Sequence, residues 1–403
     1  MTVTRSAPAT RTRLPASFHA WLAAATIPAL GDGVLFFAIG WTAAGLGGHV
    51  AGLLLTLVVL PRTALMLVAG AIGDRFGIRK TVIACDAAML VALTLYLVAA
   101  GAVPAVLSLA ALALVIGTVS AFRLPASGAL PRLFATDDAL PRAMSLASGL
   151  VQVARLVGPP LGGVVVAWGM TGAVTVNLIT FAVILVVLVA VTPPYDQPPA
   201  IGHGSAWRRI RDGLRAARRV PGTVPLLGAV GLVAAGVLPV LSLCVPVAAR
   251  ERGWSAAATG LVEAAWIVGT LSVTVLVAKR GTGRVRAVVP LTVGPLLTAA
   301  GVLGIAASPH PRYAAAAAVV MGLGTAVFTT HLAPLYVRRT PDGMLARFQA
   351  LLGFVQAAPL LVVTNGYGAL TSAGSATYGM LAAAGLTGAA AVLVLSSSAL
   401  RAS

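Results

Sequence analysis

The sequence predicts an all-α membrane protein with twelve transmembrane helices in two six-helix bundles. Three observations predict it. First, 59% of the residues are hydrophobic and 9% charged, with mean hydropathy +0.97, whereas ordinary soluble chains carry about 25% charged residues. A chain this apolar cannot cover a water-soluble surface, so lipid is its solvent, and the same numbers exclude disorder. Second, twelve runs are long enough to span the hydrocarbon, which takes about 20 apolar residues per helix. They are continuously apolar, where a barrel would show strands of alternating polarity. Third, the basic residues fall almost entirely on alternate loops.

The elements follow in order. A polar N-terminal tail, 1–17, precedes run one, 18–45, which is too long for a signal-peptide core and lacks a clear cleavage site. It reads as a retained anchor. Runs two to six lie near 51–72, 80–100, 103–124, 143–168 and 171–192. The longest polar break, 193–222, comes next and has six runs on either side. Runs seven to twelve lie near 223–249, 256–278, 285–307, 312–337, 343–370 and 373–398, before a short tail, 399–403. The domain expectation is therefore a bundle over 18–192, a linker over 193–222 and a second bundle over 223–398. That outline is one of repeated helical halves, although it rests on hydropathy and not on a residue-level repeat.

Charge sets the orientation. The chain has net charge +18 from 28 basic residues, nearly all Arg. With the N-terminus in the cytoplasm, 22 of them fall on the cytoplasmic side, among them Arg75, Arg79, Lys80, Arg132, Arg142, Lys279, Arg280, Arg338 and Arg339. Only Arg250, Arg252 and Arg312 fall outside, and Arg62, Arg123 and Arg155 lie within or near the ends of runs. This bias is the positive-inside signature, with both termini inside. The charge is a topology signal matched to anionic lipid, not a nucleic-acid footprint. In the linker, Trp207, Ile210, Leu214 and Ala217 recur at helical spacing, with six Arg on the remaining face. That pattern predicts an amphipathic helix on the inner leaflet, whose simplest role is a basic tether. Cys85 and Cys244 fall on opposite sides and are not expected to bridge.

Two motifs carry more specific information. The loop after run two reads Gly70-Ala-Ile-Gly73-Asp74-Arg75-Phe76-Gly77-Ile78-Arg79-Lys80. It resembles the cytoplasmic signature of the major facilitator superfamily, G-x-x-x-D-R-x-G-R-[KR]-[KR], with Ile78 where a basic residue is usual. Glycine permits the tight turn, and Asp74 suits a helix N-terminus of the other half. The expected partner is Thr340-Pro341-Asp342-Gly343, latching the cytoplasmic surface. Run five carries Gly158-Pro159-Pro160-Leu161-Gly162-Gly163, which resembles the G-P-x-x-G-G end of a packing motif of exporter branches. Leu30-Gly31-Asp32, Pro125-Ala126 with Ala129 to Leu133, Gly260-Leu261-Val262-Glu263, and Pro341 followed by Ala346-Arg347-Phe348 look like the macrolide-efflux and siderophore-exporter group. The resemblance implies a central cavity between the halves, in a multi-pass protein of a bacterial inner (cell) membrane.

Ionisable residues inside lipid are functional candidates by default. Asp32, Glu263 and His331 are the candidates for proton coupling. For Asp32 the alternative is a permanent pair with Arg62 or Arg155. For Glu263 it is a carboxylate facing the outer vestibule, and for His331 a side chain satisfied within its own helix. Arg62 and Arg155 are candidate counter-ions or substrate contacts. Arg123 is expected to snorkel to the headgroups, and Asp86 to pair with Arg79 or Lys80. Phe36, Phe37, Trp41, Trp266 and Phe328 are candidates for an apolar cavity wall.

No phosphate-binding loop and no Cys/His metal spacing occur, so neither a cofactor nor enzymatic activity is expected. The expected function is export of a hydrophobic or amphipathic small molecule, a drug, antibiotic or siderophore, in exchange for protons, by a monomer without nucleic acid partners. A proton-linked importer on the same fold and a non-transporting membrane sensor or scaffold are the alternatives.

Overall fold

A computed structural model describes residues 14–136, 138–195, 206–281, 285–341 and 344–401, with side chains placed except at 66–75, 206–210 and 345–346. Its long helices are α1 (Ala16–Gly45), α2 (Gly48–Phe76), α3 (Ile78–Ala99), α4 (Ala105–Ala129), α5 (Leu140–Val165) and α6 (Gly169–Ala190) in the first half. A linker helix α7 (Ala206–Arg219) follows. The second half comprises α8 (Thr223–Pro239), α9 (Val245–Glu251), α10 (Ala256–Arg280), α11 (Val288–Ala307), α12 (Pro311–Arg339), α13 (Leu345–Ala373) and α14 (Ala376–Ser396).

Eleven stretches are long and apolar enough to cross a membrane, and one of them, Leu140–Ala190, is 51 residues long. At 1.5 Å per residue it would extend about 77 Å, more than twice the ~30 Å hydrocarbon, so it is two crossings. A tight turn at Val166–Trp168 and the positive φ of Gly169, 76°, reverse the chain there. Helices α8 and α9 form one crossing joined by a π-helical turn, Val240–Cys244. The described residues thus contain twelve crossings, as expected. Alternation places Arg79, Lys80, Arg132, Arg142, Lys279, Arg280, Arg338 and Arg339 at one end of the bundle, hereafter the basic end. Arg250, Arg252 and Arg312 lie at the other.

Within the halves, helix ends are tied by long-range caps. Arg79 donates to the carbonyls of Leu188, at 3.2 and 2.7 Å, and of Val189 and Val191, at the C-terminus of α6. Arg252 donates to Ile305, Ala306 and Ser308 carbonyls at the end of α11. Both place a guanidinium on carbonyls that the helix leaves unpaired. At the opposite pole of a helix, the Glu251 carboxylate accepts from the Ala376 N–H and the Ser375 hydroxyl, each at 2.9 Å, where α14 begins.

The linker helix α7 packs on the second half. Gly213 and Ala217 are buried while Leu214 is exposed, and Gly213 sits against the Arg347 backbone at the start of α13. The protein-facing stripe is made of small residues that allow close backbone approach, which leaves Leu214 of the apolar stripe pointing away from the protein. Trp207, Ile210, Arg208 and Arg209 lie outside the described side chains.

Candidate functional site

The two halves meet in tight crossings at the end away from the basic loops. On α2, Gly48 and Gly52 face Gly368 and Thr364 of α13, and a Cβ at Gly52 would stand 3.0 Å from the Thr364 carbonyl oxygen. The His49 N–H donates to the Ser372 hydroxyl at 2.9 Å, and the Asn365 amide to Thr56 at 2.8 Å. Helix α5 meets α10 through its glycine-proline motif. Gly163 abuts Ala256 and Ala257, and Gly260 abuts the Pro159 carbonyl. Small residues four apart let lipid-embedded helices approach backbone to backbone. Gly158 and Gly162 of the same motif serve the first half alone, against Gly33 and against Val34 and Phe37 of α1.

Helix α1 crosses the interface near the π-helical turn. Pro246 lacks the N–H that a regular helix would aim at the Ser242 carbonyl, and that carbonyl faces Gly40, where a Cβ would lie 3.0 Å away. One turn on, the Arg250 guanidinium donates to the Trp41 carbonyl at 3.2 and 3.0 Å and lies 4.4 Å from the centroid of the Trp41 indole. Trp41 stacks in turn on Phe37, centroids 6.3 Å apart. Arg250 is therefore a clamp between halves, which its position in a polar loop did not reveal.

Between these crossings and the basic end lies a cavity of about 970 Å³ lined by both halves. Its walls carry Asp32, Arg62, Arg123, Arg155 and Glu263, and it extends toward Pro131 and Met144 at the basic end. Phe36 and Phe37 line it, with Phe36 41% exposed. Trp41, Trp266 and Phe328 are not on its wall. Trp41 belongs to the clamp, Trp266 packs against the core with Gly322 at its carbonyl, and Phe328 is 1% exposed against Gly294 of α11. Aromatic type alone does not reveal which way a helix turns its face.

The charged residues are arranged differently from the simplest pairings. Arg123 does not snorkel outward. It forms an ion pair with Asp86 at 2.5 Å, with Asp86 fully buried and the guanidinium 5.0 Å from the Phe181 ring centroid. Asp86 therefore pairs neither with Arg79, which caps α6, nor with exposed Lys80. Burial explains the choice, since a carboxylate out of water needs a partner that is also out of water. Among the described residues Asp32 has no ion pair with Arg62 or Arg155. It accepts from the Asn177 side chain at 3.5 Å. Asn177, fully buried on α6, escaped sequence reasoning. The signal available was an amide in an otherwise apolar run.

Glu263 faces the central cavity and not an outer vestibule. His331 does not line the cavity, and its Nδ1 lies 2.9 Å from the Val327 carbonyl of its own helix. In the loop after α2, Gly77 has φ +94° and begins α3. Gly70, Asp74 and Arg75 lie on α2, but their side chains, and Asp342 and Gly343 of the expected latch, are outside the described residues. Cys85 and Cys244 are buried and free. No group of three His, Cys, Asp or Glu able to hold a metal occurs among the described residues.

The sequence model of the Major Facilitator Superfamily matches residues 21–364. The chain belongs to the Major Facilitator Superfamily. Membership makes it a transporter rather than an enzyme, and a multi-pass membrane protein. Solved structures share the fold of this superfamily member. A point mutant of the nucleoside transporter NupG superposes with TM-score 0.73 at 9% identity, covering 93% of this chain and 98% of that one. A bacterial homologue of the iron transporter ferroportin in its inward-facing state gives 0.71 at 16%, covering 93% and 98%. A bacterial homologue of the human lysosomal transporter Spinster, inward-facing and unoccupied, gives 0.72 at 15%, covering 96% of each chain. A comparison with curated protein sequences found no match.

Proposed function

We propose that this major facilitator protein is a secondary exporter of a hydrophobic or amphipathic small molecule, driven by proton exchange across a bacterial cell membrane. The observation that carries the reading is the cavity shared by both halves, whose walls mix apolar and polar side chains and include two membrane-embedded carboxylates, Asp32 and Glu263. With the basic end in the cytoplasm, the tight crossings close the outer side and the cavity extends inward. Cargo enters from the cytoplasm or inner leaflet. The halves then rock about the cavity and the outer crossings part. A proton taken from outside is carried on a cavity-wall carboxylate and released inside when the cavity again turns inward. Export is favoured by the glycine-proline motif of α5, which resembles those of exporters and here builds the α5–α10 crossing. The same resemblance favours the macrolide and siderophore group.

The test is a drug-susceptibility panel in a pump-deficient host, joined to transport in everted vesicles under an imposed pH gradient. Wild type is compared with Asp32→Asn and Glu263→Gln at matched expression. The expected outcome is raised resistance and proton-driven uptake into everted vesicles, both lost in at least one variant. Gradient-driven flux out of everted vesicles would establish import instead. Normal proton-driven export by both variants would remove the coupling assignment.

A further inference from the structure

The cavity wall carries two guanidinium groups with which no carboxylate pairs directly among the described residues. Arg62 stands on α2 and Arg155 on α5, about 21 and 22 Å along their helices from opposite ends, so both sit near mid-depth of the membrane. Both line the cavity, and neither makes a hydrogen bond or ion pair among the described residues. The two like charges therefore face one and the same cavity. The other charges of the cavity do not answer them. Arg123 is matched by Asp86. Asp32 accepts from Asn177 and forms no ion pair with either guanidinium among the described residues. Glu263, on α10 of the other half, comes within ion-pairing distance of neither guanidinium. Both side chains are exposed to the cavity, so water hydrates them there, and a ligand that displaces that water must replace it with groups that satisfy a cation.

From this arrangement we infer that the cargo is an amphipathic organic anion, whose acid group is gripped between Arg62 and Arg155 while its apolar body lies against Phe36, Leu238 and Leu241. A guanidinium pair suits this task because each presents a planar fork of donors that matches carboxylate, sulfonate or phosphate oxygens. Gln152, on the same wall, lies one turn before Arg155 on α5 and adds a neutral donor beside the acid. Phe36 comes from α1 of the first half, and Leu238 and Leu241 from α8 and the π-helical turn of the second, so a bound anion touches both bodies that must move. The inference rests on the cavity being the transport site and specifies its substrate class.

The experiment uses the full chain purified in a neutral detergent and three probes with one ring system: 1-naphthoate, 1-naphthalenemethanol and 1-naphthylmethylammonium. Thermal stabilisation gives an apparent affinity for each. Naphthoate is expected to bind at least about tenfold more tightly than the alcohol, with the ammonium weakest. Arg62→Gln and Arg155→Gln, each checked for folding by gel filtration, are expected to abolish that order. The charge preference of the wild type is readable even if one variant does not fold. Equal or tighter binding of the neutral or cationic probe, no binding of naphthoate, or a preference that survives both substitutions would overturn the inference. None of these outcomes touches the direction of transport, which the vesicle experiment decides. An exporter of neutral cargo would leave the proposed function standing while this inference fell.

Discussion

Removal of the Arg250 guanidinium is expected to loosen the closed end of the protein by about an order of magnitude. The clamp consists of two N–H groups on the Trp41 carbonyl, at 3.2 and 3.0 Å, and a cation–π contact at 4.4 Å. Arg250 is exposed, so the hydrogen bonds count for about 1 kcal/mol. The ring contact adds about 0.5–1 kcal/mol at an exposed site. Together they favour the closed end by about 1.5 kcal/mol, which is about tenfold in the ratio of closed to open forms. The assay is the labelling rate of a single cysteine at Phe36→Cys, on the cavity wall about one turn before Gly40. Cys85 and Cys244 are replaced by serine, and a membrane-impermeant maleimide is applied from the side away from the basic loops. Arg250→Ala is expected to raise the rate about tenfold. Arg250→Lys should fall between, since an ammonium keeps the charge but loses the fork. Arg252→Ala is the control, because that guanidinium caps α11 within one half. An unchanged rate in Arg250→Ala, or an equal rise in Arg252→Ala, would refute the assignment of the clamp.

Three further outcomes are expected. Gly163→Val places a branched side chain against the Ala256 and Ala257 backbone, so the same end should fail to close and the same cysteine should label rapidly from that side. Labelling at the wild-type rate would show that the α5–α10 crossing yields easily. Asp86→Asn strands the buried Arg123 charge and should cost about 3 kcal/mol or more, seen as a fall in Tm in detergent. The double variant with Arg123→Gln should recover much of it, and a single variant within about 0.5 kcal/mol of wild type would mean that water reaches Arg123. Gly77→Ala forces a side chain into φ +94° and should cost about 1 kcal/mol. It should leave cavity labelling unchanged, and altered labelling would make that loop part of the gate.

The legibility of the site divides along one line. Residues whose environment is set by depth in the membrane were readable: Asp32, Arg62, Arg155 and Glu263 are charges far from the polar loops, and the structure brings all four to one cavity. Residues whose role depends on which way a helix is turned were not. Phe36 and Phe37 face the cavity while Trp41, one turn further along α1, lies in the clamp. Trp266 and Phe328 turn into packing. His331 bonds within its own helix. Asp86 and Arg123 were each assigned to a nearby surface, when the partner of each was the other, 37 residues away in sequence. Arg79 looked like one more positive charge in a basic loop and proved to be the cap of α6.

The crossings themselves and their number follow from the sequence alone, as does the gathering of basic residues at one end. Each depends on a local rule, the length of apolar chain needed to span hydrocarbon and the alternation of basic with non-basic loops. Only the tertiary structure decided which end of the bundle is closed, which charges are matched and which remain bare. Those features come from glycine-sized gaps between helices distant in the chain, such as Gly52 against Thr364 and Gly163 against Ala256. Helix rotation about the long axis costs a hydropathy pattern almost nothing in lipid, where every face of a helix is apolar. Close packing, and not sequence periodicity, fixes that rotation.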